Sequence, residues 1–374
     1  ELDLVPLDRV GTDAFYKTRT DFDGAVFASY SSIQDFWGTS TENLGEFGEF
    51  WKISMVITDD VAADANNADG RSRDADNLII RASDIPYAAV YTQIYEGIFR
   101  ANLVLDRLEG ENELTEQDKT EIGAEARFLR GWFHFQAMKL FGTPPLALEI
   151  KRDINDQALP NATREALYSA ILADFTAAAA GLPDVWDSSN TGRATSWAAI
   201  SYLGKVNVWK EDWPAAITNF ENVINNGPYQ LVTDYDQVFA YNNENNSESI
   251  FEVQYGGPFS DDNLWVFDDT HSEDFKASQG TGRGWHWDAA NGAPGGKLGQ
   301  WAPTQNLVDA FEPGDLRIQT ILYQAGDTYY SFDGTRYELP YDDTWSTTSY
   351  TLKKYRGSIN AVSANSSPNG QADY

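Results

Sequence analysis

The positions of apolar residues predict three long helices in the first half of the chain. Between residues 86 and 108, apolar side chains recur at steps of three and four, so that they share one face of a helix. Pro86 suits the first turn of that helix. The same spacing continues over residues 116–140 and 163–180, and Gly181 marks the end of the third segment. This half of the chain is therefore expected to be helical.

Residues 197–228 match the spacing of a tetratricopeptide repeat (TPR), a helix–turn–helix unit of about 34 residues. The positions that fit the repeat are Leu203, Gly204, Ala216, Phe220, Val223 and Pro228. Gly204 and Ala216 allow the two helices to approach closely, and Phe220 fills the groove between repeats. A single repeat cannot bury its own faces, so the helices within 86–180 are expected to lie beside it.

The pattern changes after residue 228. Residues 256–301 are rich in Gly, Asp, Asn and Trp and have no helical period. A loop this long in a compact protein is usually functional or disordered, and its Trp content argues against disorder. A second polar loop is predicted at 59–77. The other segments predict a strand at 248–255, a helix over 303–325, and strand-like pieces at 328–332 and 348–356.

Composition limits the classes of ligand. The chain has 374 residues and a formal net charge of −30, which would repel nucleic acid and an anionic membrane surface. It has no cysteine, and so no disulfide, zinc–thiolate site or iron–sulfur cluster. No apolar run approaches the roughly 18 residues of a membrane-spanning helix. The 12 Trp residues exceed what packing usually needs, and neutral ligands remain open.

We expect no catalysis. The three histidines lie in no metal or triad motif, and neither HExxH, GxSxG nor a phosphate-binding glycine loop occurs. Among 57 Asp and Glu residues, a glycosidase pair cannot be told from surface acid. The acids of 59–77 lack the spacing of a calcium loop, so we expect no metal and no cofactor.

Several stretches resemble the SusD/RagB family of Bacteroidota outer-membrane lipoproteins. They are 95–102 (YEGIFRAN), 124–135 (AEARFLRGWFHF), 141–146 (FGTPPL), 192–195 (GRAT) with the TPR at 197–228, 248–255, and 303–321 with GDLR at 314–317. The blocks occur in the family's order over roughly residues 1–356. The resemblance implies one mostly α domain over 1–374, with TPR-like helix pairs at 86–228 as a scaffold. The ligand site is then expected on long irregular loops and short strands, chiefly a Trp/Gly-rich insertion at 241–301.

The resemblance also implies a function. Such proteins bind oligosaccharides at the cell surface and act as a lid on a TonB-dependent, SusC-like transporter, which the TPR face is thought to contact. Family members begin with a lipidated Cys and continue into further C-terminal helices. We therefore expect a lipid anchor in the full-length precursor, and we expect the family's C-terminal part to be absent from this sequence. A pure protein-interaction scaffold is the alternative, because TPR grooves also bind peptides.

A sugar ring needs flat aromatic faces for its C–H groups and polar groups for its hydroxyls. The segment 283–288 offers both. Its candidate ligands are Arg283, Trp285, His286, Trp287 and Asp288, with Trp265 and Trp301 flanking the same loop. In an extended backbone Trp285 and Trp287 would point to opposite sides, so we expect only one of them to stack on sugar. The alternative is that these tryptophans pack beneath the loop.

The 59–77 loop is the second candidate site. Arg71 and Asn77 are predicted to contact sugar hydroxyls, unless the loop is merely solvated. Four further tryptophans fall within helices and are predicted to be packing residues: Trp132, Trp197, Trp209 and Trp213. The acidity indicates a saline habitat, and a neutral β-glucan such as a laminarin-type β-1,3-glucan is our expected ligand.

Overall fold

The computed structural model describes residues 15–37, 49–66, 68–81, 83–153, 158–238, 243–254, 299–332 and 336–353. The chain divides into two compact units, one formed by residues 1–33 with 91–229, and the other by 34–90 with 230–374. Helices dominate both the element order and the core, as the sequence predicts.

The first unit is built from long helices. They are α1 (Arg19–Trp37) and α4 (Ile85–Leu108), which each continue from one unit into the other, and α5 (Glu116–Phe141), α6 (Arg164–Gly181), α7 (Ser196–Trp209) and α8 (Trp213–Asn226). The predicted helices at 86–108, 116–140 and 163–180 are confirmed to within a residue or two, and α7 and α8 form the predicted helix–turn–helix.

Four of these helices start at a residue that caps them. Thr115 caps α5 in a capping box, in which its hydroxyl accepts from the Asp118 N–H and the Asp118 carboxylate accepts from the Thr115 N–H. At the starts of α6 and α7 the Thr163 and Thr195 hydroxyls accept from the Ala166 and Ala198 N–H groups. Asp212 caps α8, and a proline follows in its first turn.

The core of the first unit surrounds α5. Phe128, Phe133 and Trp132 are buried, which confirms the prediction of a packing role for Trp132. Glycines bring the helices together: a Cβ on Gly97 would lie 2.2 Å from the Phe133 ring, and one on Gly204 would lie 2.5 Å from the Phe220 ring. The close approach of α7 and α8 at Gly204 is the one that the TPR spacing predicts.

A buried ionic cluster joins separate segments of the first unit. Arg193 donates from Nε and from a terminal nitrogen to the two carboxylate oxygens of Glu125, at 2.9 and 2.5 Å. Its guanidinium also stacks over Trp186, 4.3 Å from the ring centroid. The Tyr30 hydroxyl donates to Glu125 at 2.8 Å. Burial raises the pKa of Glu125 despite these three donors.

His134 forms a hydrogen bond with the segment that follows α5. Its Nδ1 lies 3.0 Å from the Arg130 carbonyl, and its Nε2 accepts from the Ala147 N–H at 3.2 Å. The ring is therefore the Nδ1–H tautomer. Arg130 in turn bridges Asp174 and the Leu148 carbonyl, so residues 147–148 are held to two helices.

The second unit combines short helices with three two-stranded antiparallel sheets. Its helices are α2 (Glu49–Ser54), α3 (Gly70–Asp76), α9 (Tyr235–Val238), α10 (Gln305–Ala310) and α11 (Arg317–Ile321). Its strands are β1 (Val61–Ala63) with β2 (Trp301–Pro303), β3 (Leu322–Tyr323) with β6 (Thr351–Leu352), and β4 (Thr328–Phe332) with β5 (Arg336–Pro340).

Several sequence predictions for this unit are wrong. The 59–77 region is not a simple loop, because it contains β1 and α3. Residues 248–254 form no sheet pairing; the Glu248 carboxylate instead accepts from the Val232 N–H at 3.0 Å. The helix predicted over 303–325 is interrupted by a turn in which Gly314 has φ +89°.

Two tryptophans of the first unit also differ from their prediction. Trp209 and Trp213 were predicted to pack, but their exposed fractions are 48% and 54%. Ile217 and Ile224 follow Trp213 along the same helix and are exposed as well. The last helix pair of the first unit therefore presents an apolar surface.

Candidate functional site

The second unit contains an open pocket of about 230 Å³. It lies between α2, α3 and the start of α4. Its lining residues are Lys52, Ile53, Arg71, Asp74, Ala75, Ile79, Ser83, Asp84, Ile85, Pro86 and Tyr87. The volume lies below the roughly 300–1,000 Å³ of pockets for drug-sized ligands, which suits one sugar ring or the end of a chain.

One wall is α3, which is fixed at its first turn. Asp69 caps the helix, accepting from the Ser72 N–H at 2.7 Å, and forms an ion pair of 3.1 Å with the buried Lys52. Burial acts to raise the pKa of Asp69, but the Lys52 ammonium and the N–H groups of Ser72 and Arg71 hold it below its ordinary value. Arg71 thus extends into the pocket wall from a helix start that is firmly held.

Trp301 contacts α3 through Ser72 and so stabilises this wall of the pocket. It lies in β2 with an exposed fraction of 1%, and its indole N–H donates to the Ser72 hydroxyl at 2.9 Å. Its partner strand β1 is continuous with the segment that leads into α3. In this position Trp301 orients the helix that carries Arg71, and its ring offers no open face for a sugar.

The opposite wall contains Ser83 and Asp84, with Arg81 beside them. Arg81 forms a 3.0 Å ion pair with Asp74, and its backbone N–H donates to Asp84 at 2.9 Å. Beside this loop, Leu78, Ile79 and Ile80 are three consecutive exposed apolar residues. Leu78 has φ +56°, which ends α3 and turns the chain outward.

The Tyr87 hydroxyl is shielded from solvent and has no hydrogen-bond partner among the described residues. Burial, and secondarily the Asp84 charge, raises its pKa, so it is a neutral donor and acceptor at physiological pH. A buried hydroxyl without a partner is costly, typically about 1–3 kcal/mol. A movement that opens the Tyr87 hydroxyl to the pocket would let a ligand hydroxyl become that partner.

The pocket therefore offers both parts of a sugar site. Tyr87 and the isoleucine side chains provide apolar surface for C–H groups. Arg71, Ser83 and the two aspartates provide donors and acceptors for hydroxyls. No group of His, Asp or Glu that could hold a metal ion occurs in the described part of the chain.

Apart from Trp301, which is buried behind α3, the predicted site residues fall into three groups. Arg71 lies in the pocket wall. Asn77 lies at the end of α3, where its amide donates to the Arg73 carbonyl at 2.7 Å and its side chain is exposed. Trp265, Arg283, Trp285, His286, Trp287 and Asp288 lie outside the described residues, and their role in binding stays a prediction.

Sequence reasoning missed Tyr87, Lys52 and the 81–84 loop. Tyr87 falls within the 86–108 segment whose apolar spacing predicts a helix, and nothing in the sequence pattern distinguishes Lys52. One signal was available: Arg81 and Asp84 closely precede the helix, and segments that connect regular elements often carry binding residues.

Comparison with known proteins finds similar sequences. Residues 37–208 match a family model described as "starch-binding associating with outer membrane". The chain is 25% identical over 257 residues to SusD-like protein P25 of Formosa agariphila, covering 67% of this chain and 47% of the relative. It is 28% identical over 189 residues to a SusD-like protein of Bacteroides ovatus, covering 47% of this chain and 34% of the relative. The chain thus spans half or less of the length of these curated relatives.

Solved structures show the same fold. A laminarin-binding SusD-like protein superposes with a TM-score of 0.74 at 22% identity, covering 96% of this chain and 76% of that protein. A SusD superfamily protein of Bacteroides vulgatus superposes with a TM-score of 0.70 at 24% identity, covering 91% of this chain and 68% of that protein. A structure solved with a xylogluco-oligosaccharide superposes with a TM-score of 0.68 at 20% identity, covering 93% of this chain and 67% of that protein.

Proposed function

Because this chain belongs to the SusD/RagB family of Bacteroidota glycan-binding proteins, we propose that it captures a polysaccharide or oligosaccharide at the cell surface without cleaving it. The observation that carries this proposal is the pocket beside α3, which is lined by apolar surface, two aspartates, Arg71 and Tyr87. The Tyr87 hydroxyl has no hydrogen-bond partner within the described ranges. Asp74 is bound to Arg81 in an ion pair, which suits an acceptor for sugar hydroxyls better than a catalytic acid.

The ligand we propose is a neutral β-glucan of the laminarin type. A protein of similar fold is named for binding laminarin, and the net charge of −30 disfavours polyanionic ligands in general. The pocket would hold one ring or a chain end, and the exposed apolar residues 78–80 would extend the contact along the chain. The predicted residues Trp265, Arg283, Trp285, His286, Trp287 and Asp288 are proposed as further contacts from the 241–301 insertion.

Two substitutions test the pocket. Tyr87→Phe removes only a hydroxyl without a partner in the described residues, so it should weaken glucan binding while leaving stability unchanged or slightly higher. Arg71→Ala should weaken binding further. Arg152→Ala is the matched control, because Arg152 is an exposed arginine paired with Asp106 in the other unit. Affinity gel electrophoresis with laminarin, followed by calorimetry, measures all three.

A contrary result has a clear meaning. If laminarin and other neutral glucans retard the native protein but Tyr87→Phe and Arg71→Ala bind as tightly, the pocket is not the site. In that case Trp285→Ala and Trp287→Ala should abolish binding if the predicted insertion is the site. If no glycan retards the protein, the proposed function is wrong.

We also propose a TonB-dependent, SusC-like transporter as the partner. The apolar surface of α8 supports a docking role, since Trp213, Ile217 and Ile224 are exposed along one helix face. Replacing Trp213 and Ile217 with Ser should prevent co-purification with the transporter and leave glucan binding intact. Retention of the transporter by this double variant would contradict the assignment of the surface.

Outer-membrane association is part of the family's description. Among the described residues, none of the helices has the length and apolar character needed to cross a membrane. We propose that attachment is by a lipidated cysteine in the full-length precursor. Radiolabelled fatty acid incorporated into the native protein in cells would test this directly.

A further inference from the structure

A patch of aromatic and cationic side chains lies where the last turn of α5 meets α7, in the first unit. Its members, the lysine–tryptophan patch, are Phe135, Lys139, Tyr202, Lys205 and Trp209. The Lys139 Nζ lies 5.4 Å from the Phe135 ring centroid and 6.0 Å from that of Trp209. The Lys205 Nζ lies 5.1 Å from the Tyr202 ring centroid. Lys205 and Trp209 are four residues apart on one helix and therefore share a face.

Carboxylates of the described segments do not neutralise the positive charge of this patch. No carboxylate in the part of the chain that the structure describes forms an ion pair with Lys139 or Lys205, although acidic residues outnumber basic ones by 57 to 27. Lys139 donates to the Gln136 side-chain oxygen at 3.1 Å, which leaves other protons available. The neighbouring Lys210 differs, since it pairs with Asp212 at 3.2 Å.

The two ammonium groups also act on each other. Burial against the aromatic rings lowers the pKa of both lysines, and the Lys205 charge lowers the pKa of Lys139 further. An anion bound between them would relieve this repulsion. The patch therefore favours a negatively charged ligand even though the whole protein carries a large negative charge.

The aromatic part of the patch is held in place by contacts with neighbouring residues. The Tyr168 hydroxyl donates to the Trp209 carbonyl at 2.6 Å, and the Phe135 ring meets the indole at 89°. Tyr202 stacks on Phe175 with centroids 5.1 Å apart and accepts from the Trp132 indole N–H. Nearly half of Trp209 is nevertheless exposed. A platform that is fixed before binding loses little entropy when a ligand stacks on it.

We propose that the lysine–tryptophan patch binds a uronic acid residue of an acidic oligosaccharide. The C–H face of the sugar would stack on the exposed indole of Trp209, and its carboxylate would accept hydrogen bonds from Lys139 and Lys205. One uronate ring carries a flat C–H face and a carboxylate together, as the patch requires. An acidic peptide offers a carboxylate on a flexible stem and no flat face.

The proposed uronate site is separate from the proposed glucan pocket, so either proposal can be wrong while the other holds. The patch belongs to the first unit, whereas the pocket of Arg71 and Tyr87 belongs to the second. Calorimetry with oligogalacturonate and with laminari-oligosaccharide on the same protein samples distinguishes them.

The test uses the full chain and three variants. Lys139→Gln/Lys205→Gln removes both charges and should weaken oligogalacturonate binding by at least about tenfold, because charge-assisted hydrogen bonds are lost. Trp209→Leu keeps an apolar cover over Phe135 but removes the platform, and it should weaken binding to a similar degree. Lys210→Gln is the matched control and should change binding less than twofold. Laminari-oligosaccharide binding should be the same in all four proteins.

Three outcomes would overturn the proposal. The first is that the native protein does not bind oligogalacturonate. The second is that the double lysine variant, checked for native helix content by circular dichroism, binds it as tightly as the native protein. The third is that a penta-glutamate peptide binds as tightly and is unaffected by Trp209→Leu, which would show a surface for acidic peptides.

Discussion

His134 should make the protein sensitive to mild acid. Burial lowers the pKa of its imidazole to about 4, from an ordinary value of 6.5, and the nearby Arg130 charge adds to the effect. Protonation would also remove the lone pair with which Nε2 accepts from the Ala147 N–H. The folded state therefore resists a proton that the unfolded chain accepts.

The direction and size of the change in stability with pH follow from the different proton affinities of His134 in the folded and unfolded states. Between pH 6.5 and pH 4 the unfolded chain binds more protons at this site than the folded one, so stability falls as the pH is lowered through this window. With folded and unfolded pKa values of about 4 and 6.5, the loss between pH 7.5 and pH 4.5 is about 2.5 kcal/mol. This is a large share of the 5–15 kcal/mol that typically stabilises a domain.

Urea denaturation at the two pH values measures the effect against a matched variant. His134→Gln does not titrate, and its amide oxygen can accept from Ala147. Other groups titrate equally in both proteins, so the native protein should lose about 2.5 kcal/mol more than the variant. Parallel losses in the two proteins, or an NMR titration of His134 with a midpoint above pH 6, would refute the reasoning.

Three further substitutions test the helical unit. Glu125→Ala leaves the buried Arg193 charge without its main partner and should cost about 3–5 kcal/mol of unfolding free energy, measured by chemical denaturation; a loss below 1 kcal/mol would contradict the role of the cluster. Gly204→Ala puts a Cβ 2.5 Å from the Phe220 ring and should cost about 1–3 kcal/mol by the same measurement. Gly24→Ala is its control, since a Cβ there meets no atom within 4 Å. This substitution should raise the unfolding free energy by up to about 1 kcal/mol. Equal effects of Gly204→Ala and Gly24→Ala on stability would refute the packing argument.

Local pattern predicted the long helices well, because a period of three to four residues reflects which side chains share a face. It could not tell which faces meet a neighbour. Trp209 and Trp213 illustrate this, since both lie in predicted helices and both are exposed. Burial depends on the placement of other helices, and helix periodicity carries no information on that.

The candidate site was only partly predictable for a related reason. Arg71 was found from its polar surroundings, but the strand preceding it was hidden, because β1 is only three residues long and pairs with distant residues. Trp301 was proposed as a sugar contact from its place beside a Trp-rich loop. Its pairing with β1 and its bond to Ser72 place it in the interior instead.

The pairing of β1 with β2 has a consequence for synthesis of the protein on the ribosome. Ala63 is made early, but its partner Trp301 follows 238 residues later. At roughly 5–20 residues per second, β1 waits between about 12 and 48 seconds for its partner. During that delay the helices of residues 91–229 emerge and can pack locally, while the support behind α3 is still missing. Chaperones that shield nascent apolar segments should therefore contact residues 49–63 for longer than any segment of the helical unit.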